Sequence, residues 1–242
     1  MYGTKQPSVY TKGLWRLNDN GNDISGNEYN VADTGSDITF TTYGPYGTCA
    51  TKPDEDLYSI LQGYHDVLGS EAQYCTISFW CKINGYRAAN GTTTMCGIVS
   101  KATRRSYYFR ATSTAMIVGC FDKTGPNEHD GHYHEGSFTY DYNRGSWHMY
   151  TYVIDNYVCS TYLDALKVYS YNLTAPNGTY AFNVDSIAIC GANVRGMSAG
   201  SGYYAPHIGS ISELFIENKV WSELEIKRYY TYAKGRYNPK IS

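Results

Sequence analysis

Two stretches of the chain carry side chains suited to binding chemistry. Asp122 to Gly136 contains His129, Asp130, His132, Tyr133, His134 and Glu135 and reads as a polar loop. Extended, the His132-x-His134 pair would present two imidazoles on one face, as metal sites require, although no third ligand is visible in the sequence. A plain polar loop tip is the alternative. The second stretch, Arg195 to Ala205, is rich in Gly, Ser and Tyr and includes Tyr203 and Tyr204, a composition found on adaptable binding rims. Aromatic faces stack on sugar rings, while His, Asn, Asp and backbone groups hydrogen-bond their hydroxyls. His132, Tyr133, His134, Tyr203 and Tyr204 are therefore the candidate carbohydrate-binding residues. Packing within a loop is the competing role for each.

Other reactive constellations are weaker. Asp19, Asn22 and Asp23 fall in a run of turn formers from Asn18 to Asn27 and could hold Ca²⁺ through oxygen ligands, but EF-hand spacing is absent. A simple turn also accounts for them. Glycoside hydrolysis needs two carboxyl groups across a cleft. Glu213 and Glu217 share one strand face with Phe215 between them, and no partner acid is evident. A nucleophile elbow is also missing, so no catalytic residue is expected. Lys101, Arg104, Arg105 and Arg110 interleave with Tyr107, Tyr108 and Phe109 in the manner of a nucleic-acid surface. In a chain of net charge −2 they read better as a solvated strand edge, and nucleic acid is not an expected partner.

The elements that must position these residues are mostly strands. Trp147 to Tyr171 holds three β-rich runs separated by very short breaks, an antiparallel meander. Tyr74 to Ile83 alternates, with Cys75, Ile77, Phe79, Cys81 and Ile83 on the core face. Trp80 falls on the opposite face, where it either packs under a loop or faces a ligand, and packing is the expectation. One helix is predicted after Ser222, an N-cap with Glu225 three residues on and Trp221 and Ile226 at the staple positions. Its apolar face is Ile226, Tyr229, Tyr230 and Ala233, and Gly235 is placed to end it. With 27 tyrosines and only 17% charged residues, the composition fits a wide β-surface, a contact surface, or both. No repeat or linker divides the chain, so residues 13–242 are expected to form one domain after a lead-in over residues 1–12.

Seven cysteines are scattered without a Cys-x-x-Cys pair, and Cys75, Cys81, Cys159 and Cys190 sit in apolar strand patterns. They are expected to be reduced. The start, Met1 to Lys5, lacks the apolar region of a secretion signal, and no run approaches the roughly 20 apolar residues of a membrane span. Membrane insertion is therefore not expected.

Several of these stretches together resemble the laminin-G-like branch of the concanavalin A-like lectin/glucanase superfamily. Gly13-Leu14-Trp15-Arg16-Leu17 followed by Asp23-Ile24-Ser25-Gly26 is similar to its opening strand and Asp-x-Ser-Gly turn. Thr76-Ile77-Ser78-Phe79-Trp80 resembles its Thr-x-Ser-x-Trp strand. Trp147-His148 with Tyr162-Leu163-Asp164 resembles its Trp-His strand and Tyr-x-Asp-Gly hairpin, and Gly209 to Leu214 leading into Trp221 to Ile226 its closing strand and short helix. Two positions depart from the pattern: Ala165 stands where Gly is usual, and Ser212 where Asp is usual. The resemblance implies an all-β jelly-roll sandwich of two antiparallel sheets, with roughly 12 to 14 strands and one short C-terminal helix. That fold hosts lectins, hydrolases, adhesion modules and structural domains, so the ligand is not implied.

An extracellular-style fold with free thiols and no signal is economically explained by a protein made in a cytoplasm and displayed on a released particle. The expectation is a non-enzymatic lectin-like domain on a virion surface, as phage capsid decoration or tail fibre, that binds glycans or neighbouring subunits. A secreted or cell-surface carbohydrate-binding or adhesion module is the alternative, and homo-oligomerisation is left open.

Overall fold

The computed structural model describes residues 5–53, 60–68, 73–86, 91–100, 105–123, 131–139, 145–156, 158–172, 186–193 and 204–234. In chain order the first strands are β1 (Thr11–Trp15), β2 (Ala32–Asp33), β3 (Thr39–Gly44), β4 (Gly47–Lys52), β5 (Leu61–Gly63) and β6 (Tyr74–Gly85). Then come β7 (Thr92–Ser100), β8 (Arg105–Thr112), β9 (Ala115–Lys123), β10 (Gly131–Thr139), β11 (Trp147–Asp155), β12 (Val158–Leu163) and β13 (Leu166–Asn172). The last are β14 (Ser186–Ile189), β15 (Gly191–Asn193), β16 (Tyr204–Pro206) and β17 (Ile208–Glu217), followed by helix α1 (Glu223–Lys234).

Two antiparallel sheets face each other. One has eight strands in the order β13-β12-β11-β6-β17-β4-β3, with β1 also paired to β17. The other has seven, β10-β9-β8-β7-β14-β5-β2, and β15 and β16 form a separate pair. The all-β sandwich with one short C-terminal helix is as expected. The seventeen described strands exceed the count expected from the resemblance because several are only two or three residues long.

Cys75, Ile77, Phe79, Cys81 and Ile83 of β6 all enter the core between the sheets, as their alternation requires. There they meet Phe109 and Val118 from β8 and β9 and Ile187 from β14. The Phe109 and Tyr152 rings stack at 3.9 Å, and Phe79 lies 6.0 Å from Tyr152. Burying each such ring is worth about 2–3 kcal/mol. The Tyr171 hydroxyl donates to the Val118 carbonyl at 3.1 Å and ties β13 to the opposite sheet.

A second apolar cluster lies on the other face of the eight-stranded sheet, under α1. It contains Leu14, Trp80, Met149, Phe215, Trp221, Ile226 and Ala233. Trp80 therefore packs rather than facing solvent, stacked at 5.9 Å on Tyr230. The predicted helix start is present in detail. The Ser222 hydroxyl accepts from Glu225 N at 3.3 Å, and Glu225 Oε2 accepts from Ser222 N at 2.9 Å. Gly235, the expected stop, lies outside the described residues, as do Lys101 and Arg104.

Two turns follow the sequence closely. Asp23 Oδ1 accepts from Leu14 N at 2.8 Å and Ser25 N at 2.9 Å, while Oδ2 accepts from the Ser25 hydroxyl at 2.6 Å and Tyr29 N at 3.1 Å. Four donors occupy that carboxylate, so it organises the turn. In the β12–β13 hairpin, Asp164 and Ala165 both have positive φ, 49° and 66°, the geometry of a type I′ turn. Asp164 also accepts from Met149 N at 2.9 Å and lies 2.8 Å from His148 Nδ1. Ala165 carries a Cβ in the left-handed region, which costs about 1–2 kcal/mol, while Gly costs somewhat more unfolded-chain entropy. Ala165→Gly is expected to be neutral or to stabilise by up to about 1 kcal/mol. A clear fall in its thermal midpoint would contradict that account. At the other departure, the Ser212 hydroxyl keeps a polar contact, donating to the Thr48 carbonyl at 3.2 Å.

Candidate functional site

The described parts of the two sequence-predicted stretches, residues 131–136 and 204–205, lie in the seven-stranded sheet and in the β15–β16 pair that packs on it. His132, Tyr133 and His134 lie not in a loop but in β10, the edge strand, in register with Asp122, Phe121 and Cys120 of β9. Pairing with β9 supplies the extended conformation that the polar composition of the segment conceals. Tyr204 opens β16 opposite Asn193, and Tyr203 lies outside the described residues. β16 packs on β7, whereas β10 is three strands away across β9 and β8. At the usual spacing that is about 14 Å, so the described strands do not bring Tyr204 and the His132–His134 segment into one site.

Between them, on the face of this sheet away from the core, the buried Tyr108 ring packs against Gly119. A Cβ at Gly119 would come within 1.9 Å of Tyr108 Cζ. The Arg110 guanidinium stands 5.5 Å from the same ring.

A site that sequence reading missed lies on the opposite side of the molecule. The lead-in Lys5–Tyr10 runs beside β17 and α1 and is fastened there by two buried carboxylates. Glu217 is 2% exposed and its Oε1 accepts from Lys5 Nζ at 2.6 Å, Ser8 Oγ at 3.0 Å and Thr11 Oγ1 at 3.2 Å. Its Oε2 accepts from Trp221 Nε1 at 2.6 Å. Glu213 is 1% exposed and accepts from Lys5 N at 3.3 Å and from the Tyr229 hydroxyl. It sits at a β-bulge with φ 41°, where Glu213 and Leu214 fall between the pairings Ser212–Trp80 and Phe215–Ser78.

Between lead-in and helix opens a cavity of about 350 Å³, floored by Trp221 and Glu217 and walled by Tyr10, Lys219, Glu225 and Arg228. Its volume is at the lower end of the range for small-molecule sites, about 300–1,000 Å³. A second cavity of about 440 Å³ adjoins it along α1 and shares Arg228, with Leu224, Lys227, Thr231 and Tyr232 as its other walls. The sequence signal was faint. Leu224, Arg228, Thr231 and Tyr232 recur at helical spacing on the polar side of α1.

The charges in this region are arranged to hold, not to react. Burial pushes the Glu213 carboxyl above its ordinary range, incompletely offset by the Tyr229 hydroxyl, Lys5 and the Arg16 charge. Burial also pushes Glu217 up, but the Lys5 ammonium with hydrogen bonds from Trp221 and Ser8 more than reverses it. All oxygens of the pair are taken by protein donors, and neither carboxyl is presented as a free acid or base. A buried His207–Cys81 contact is equally unreactive. His207 Nδ1 lies 3.1 Å from Thr93 Oγ1 and Nε2 lies 3.6 Å from Cys81 Sγ. Burial lowers the imidazole to about 4 and raises the thiol, so both stay neutral. The six cysteines with described side chains are free and buried. Among the described residues no cluster of three His, Cys, Asp or Glu side chains could hold a metal ion, and no helix is long and apolar enough to cross a membrane.

No family model and no curated protein sequence matches this chain. Solved structures do share its β-sandwich fold. Domain 4 of AbnA, a GH43 extracellular arabinanase from Geobacillus stearothermophilus solved with arabinotriose, superposes with a TM-score of 0.65 at 15% identity. That match covers 91% of this chain and 98% of the arabinanase domain. The receptor-binding domain of botulinum neurotoxin type G superposes at 0.62 with 13% identity over 93% of this chain and 51% of the toxin domain. The binding domain of botulinum neurotoxin DC, solved with rat synaptotagmin II, superposes at 0.64 with 14% identity and the same coverages, 93% and 51%. The chain thus spans about half the length of the toxin domains it matches.

Proposed function

We propose that the chain is a non-enzymatic carbohydrate-binding module, a single concanavalin A-like, laminin-G-like jelly roll over residues 13–242. The observation that carries this reading is the cavity beside α1, where Tyr10 and Trp221 meet charged hydrogen-bonding groups, the combination that holds a sugar ring and its hydroxyls. The arabinotriose complex of the arabinanase domain supports it, and the synaptotagmin complex keeps a protein partner in view. The saturation of Glu213 and Glu217 supports the absence of hydrolysis. A broad glycan array is expected to show captured saccharides, with Tyr10→Ala weakening them about tenfold through loss of a stacking face. A blank array overturns the proposal. Loss through Tyr133→Ala or Tyr204→Ala, with Tyr10→Ala unaffected, moves the site to β10 or β16.

We further propose that the module is displayed on a virion, as capsid decoration or tail fibre, where it binds glycans or neighbouring subunits. Six free, buried thiols in a sandwich of extracellular style support synthesis in a reducing compartment. A secreted or cell-surface module is the alternative. Probing purified particles with an antibody to the chain separates the two.

A further inference from the structure

We propose that the surface shared by the lead-in and α1 binds carboxylate-bearing saccharides, such as uronic- or sialic-acid sugars, and that Arg228 receives the carboxylate. This inference rests on the reading of the chain as a carbohydrate-binding module and names its ligand class.

The charge count of the two adjoining cavities carries it. The walls carry Lys5, Lys219, Lys227 and Arg228 with two carboxylates, Glu217 and Glu225, and Glu213 lies behind Lys5. Both carboxylates are already engaged, Glu217 by Lys5 and Glu225 by Lys219. Lys227 and Arg228 have no acidic partner among the described residues. Lys227 and Arg228 therefore stand side by side outside any described ion pair, although Glu223 lies one turn before Lys227 on α1. Such a local excess attracts an anion and is screened by salt.

Position narrows the anion. Arg228 borders both cavities, with Tyr10 lining one and Tyr232 the other. These rings are 48% and 47% exposed, so each offers a face to a ligand rather than to the core. The Lys219 ammonium already stands 5.6 Å from the Tyr10 ring, which places positive charge beside that platform. A planar guanidinium matches a carboxylate in a two-pronged hydrogen bond, which a lone ammonium cannot reproduce. A saccharide that combines a ring face with a carboxylate uses both features together.

The test pairs uronate- and sialate-bearing oligosaccharides with their carboxyl-reduced counterparts and titrates each onto the full chain at low and at physiological salt. The acidic members are expected to bind at least about tenfold more tightly, an advantage that shrinks as salt rises. Arg228→Gln is expected to erase that advantage without moving the thermal midpoint, because the side chain is exposed. Equal affinity for the reduced sugars would overturn the inference while leaving the carbohydrate reading in place. So would an acidic preference that survives in Arg228→Gln, a preference for sulfated over carboxylated sugars, or full competition by a polyglutamate peptide. Binding of no saccharide at all removes both the inference and the reading beneath it.

Discussion

Glu217→Ala is expected to cost about 3–5 kcal/mol, because it strips a buried carboxylate from the Lys5 ammonium and the Trp221 indole, while the Ser8 and Thr11 hydroxyls, 3.2 Å apart, keep only each other. Lys5 Nζ, Ser8 Oγ, Thr11 Oγ1 and Trp221 Nε1 all end on its two oxygens. For a chain of this size the thermal midpoint should fall by roughly 10 °C. Part of that loss comes from leaving Lys5 uncompensated, so Lys5→Met in the Glu217→Ala background should recover some of it. A midpoint within two degrees of the parent would show that the lead-in is not fastened through this residue.

The same carboxylates set an acid profile. Glu217 titrates below its unfolded value, so its contribution is complete above that value and is lost as pH falls through the folded one. Glu213 has the opposite sign. Its folded value is raised, so keeping it ionised costs stability at neutral pH, and the cost disappears as pH falls through that value. Mild acid should therefore relieve Glu213 before stronger acid removes Glu217, and Glu217→Gln should flatten only the lower limb of a stability–pH curve.

Much of the fold was legible because it is written locally. The alternation of Tyr74 to Ile83, the capping box at Ser222 and the Asp23 turn each depend on residues within a few positions of one another. Ala165, which stands where the family it resembles has Gly, does take positive φ. What escaped were features imposed from afar. β4 is not evident in the sequence because Gly44, Pro45 and Gly47 are turn formers and because Lys52, buried here, breaks the apolar pattern of a core strand. β10 was read as loop for a similar reason, since its His, Gly and Glu residues take strand form from β9. The cavity beside α1 was invisible because the carboxylates that hold Lys5 lie more than 200 positions away in sequence. A polar lead-in with no periodicity gives no hint of such an anchor.

Gly209→Ala should be comparably damaging, for a reason that lies in the backbone. Gly209 has φ 151°, a region L-residues rarely adopt, and a Cβ there would lie 2.0 Å from the Lys82 carbonyl oxygen. It would also come within 2.8 Å of His207 Nε2, in the buried interior. Neither neighbour is free to give way. Gly209 pairs with Lys52 on β4 and with Ile83 on β6, so β17 is held on both sides at this point. Moving the strand would disturb both pairings and the His207 contacts with Thr93 and Cys81. Backbone strain of about 1–3 kcal/mol and overpacking of a similar size together predict a loss of roughly 3–5 kcal/mol. Urea unfolding of the variant should show a lower midpoint with an unchanged slope. An unchanged midpoint would mean that β17 shifts at low cost, and that Gly209 is required neither by its φ nor by the Lys82 carbonyl.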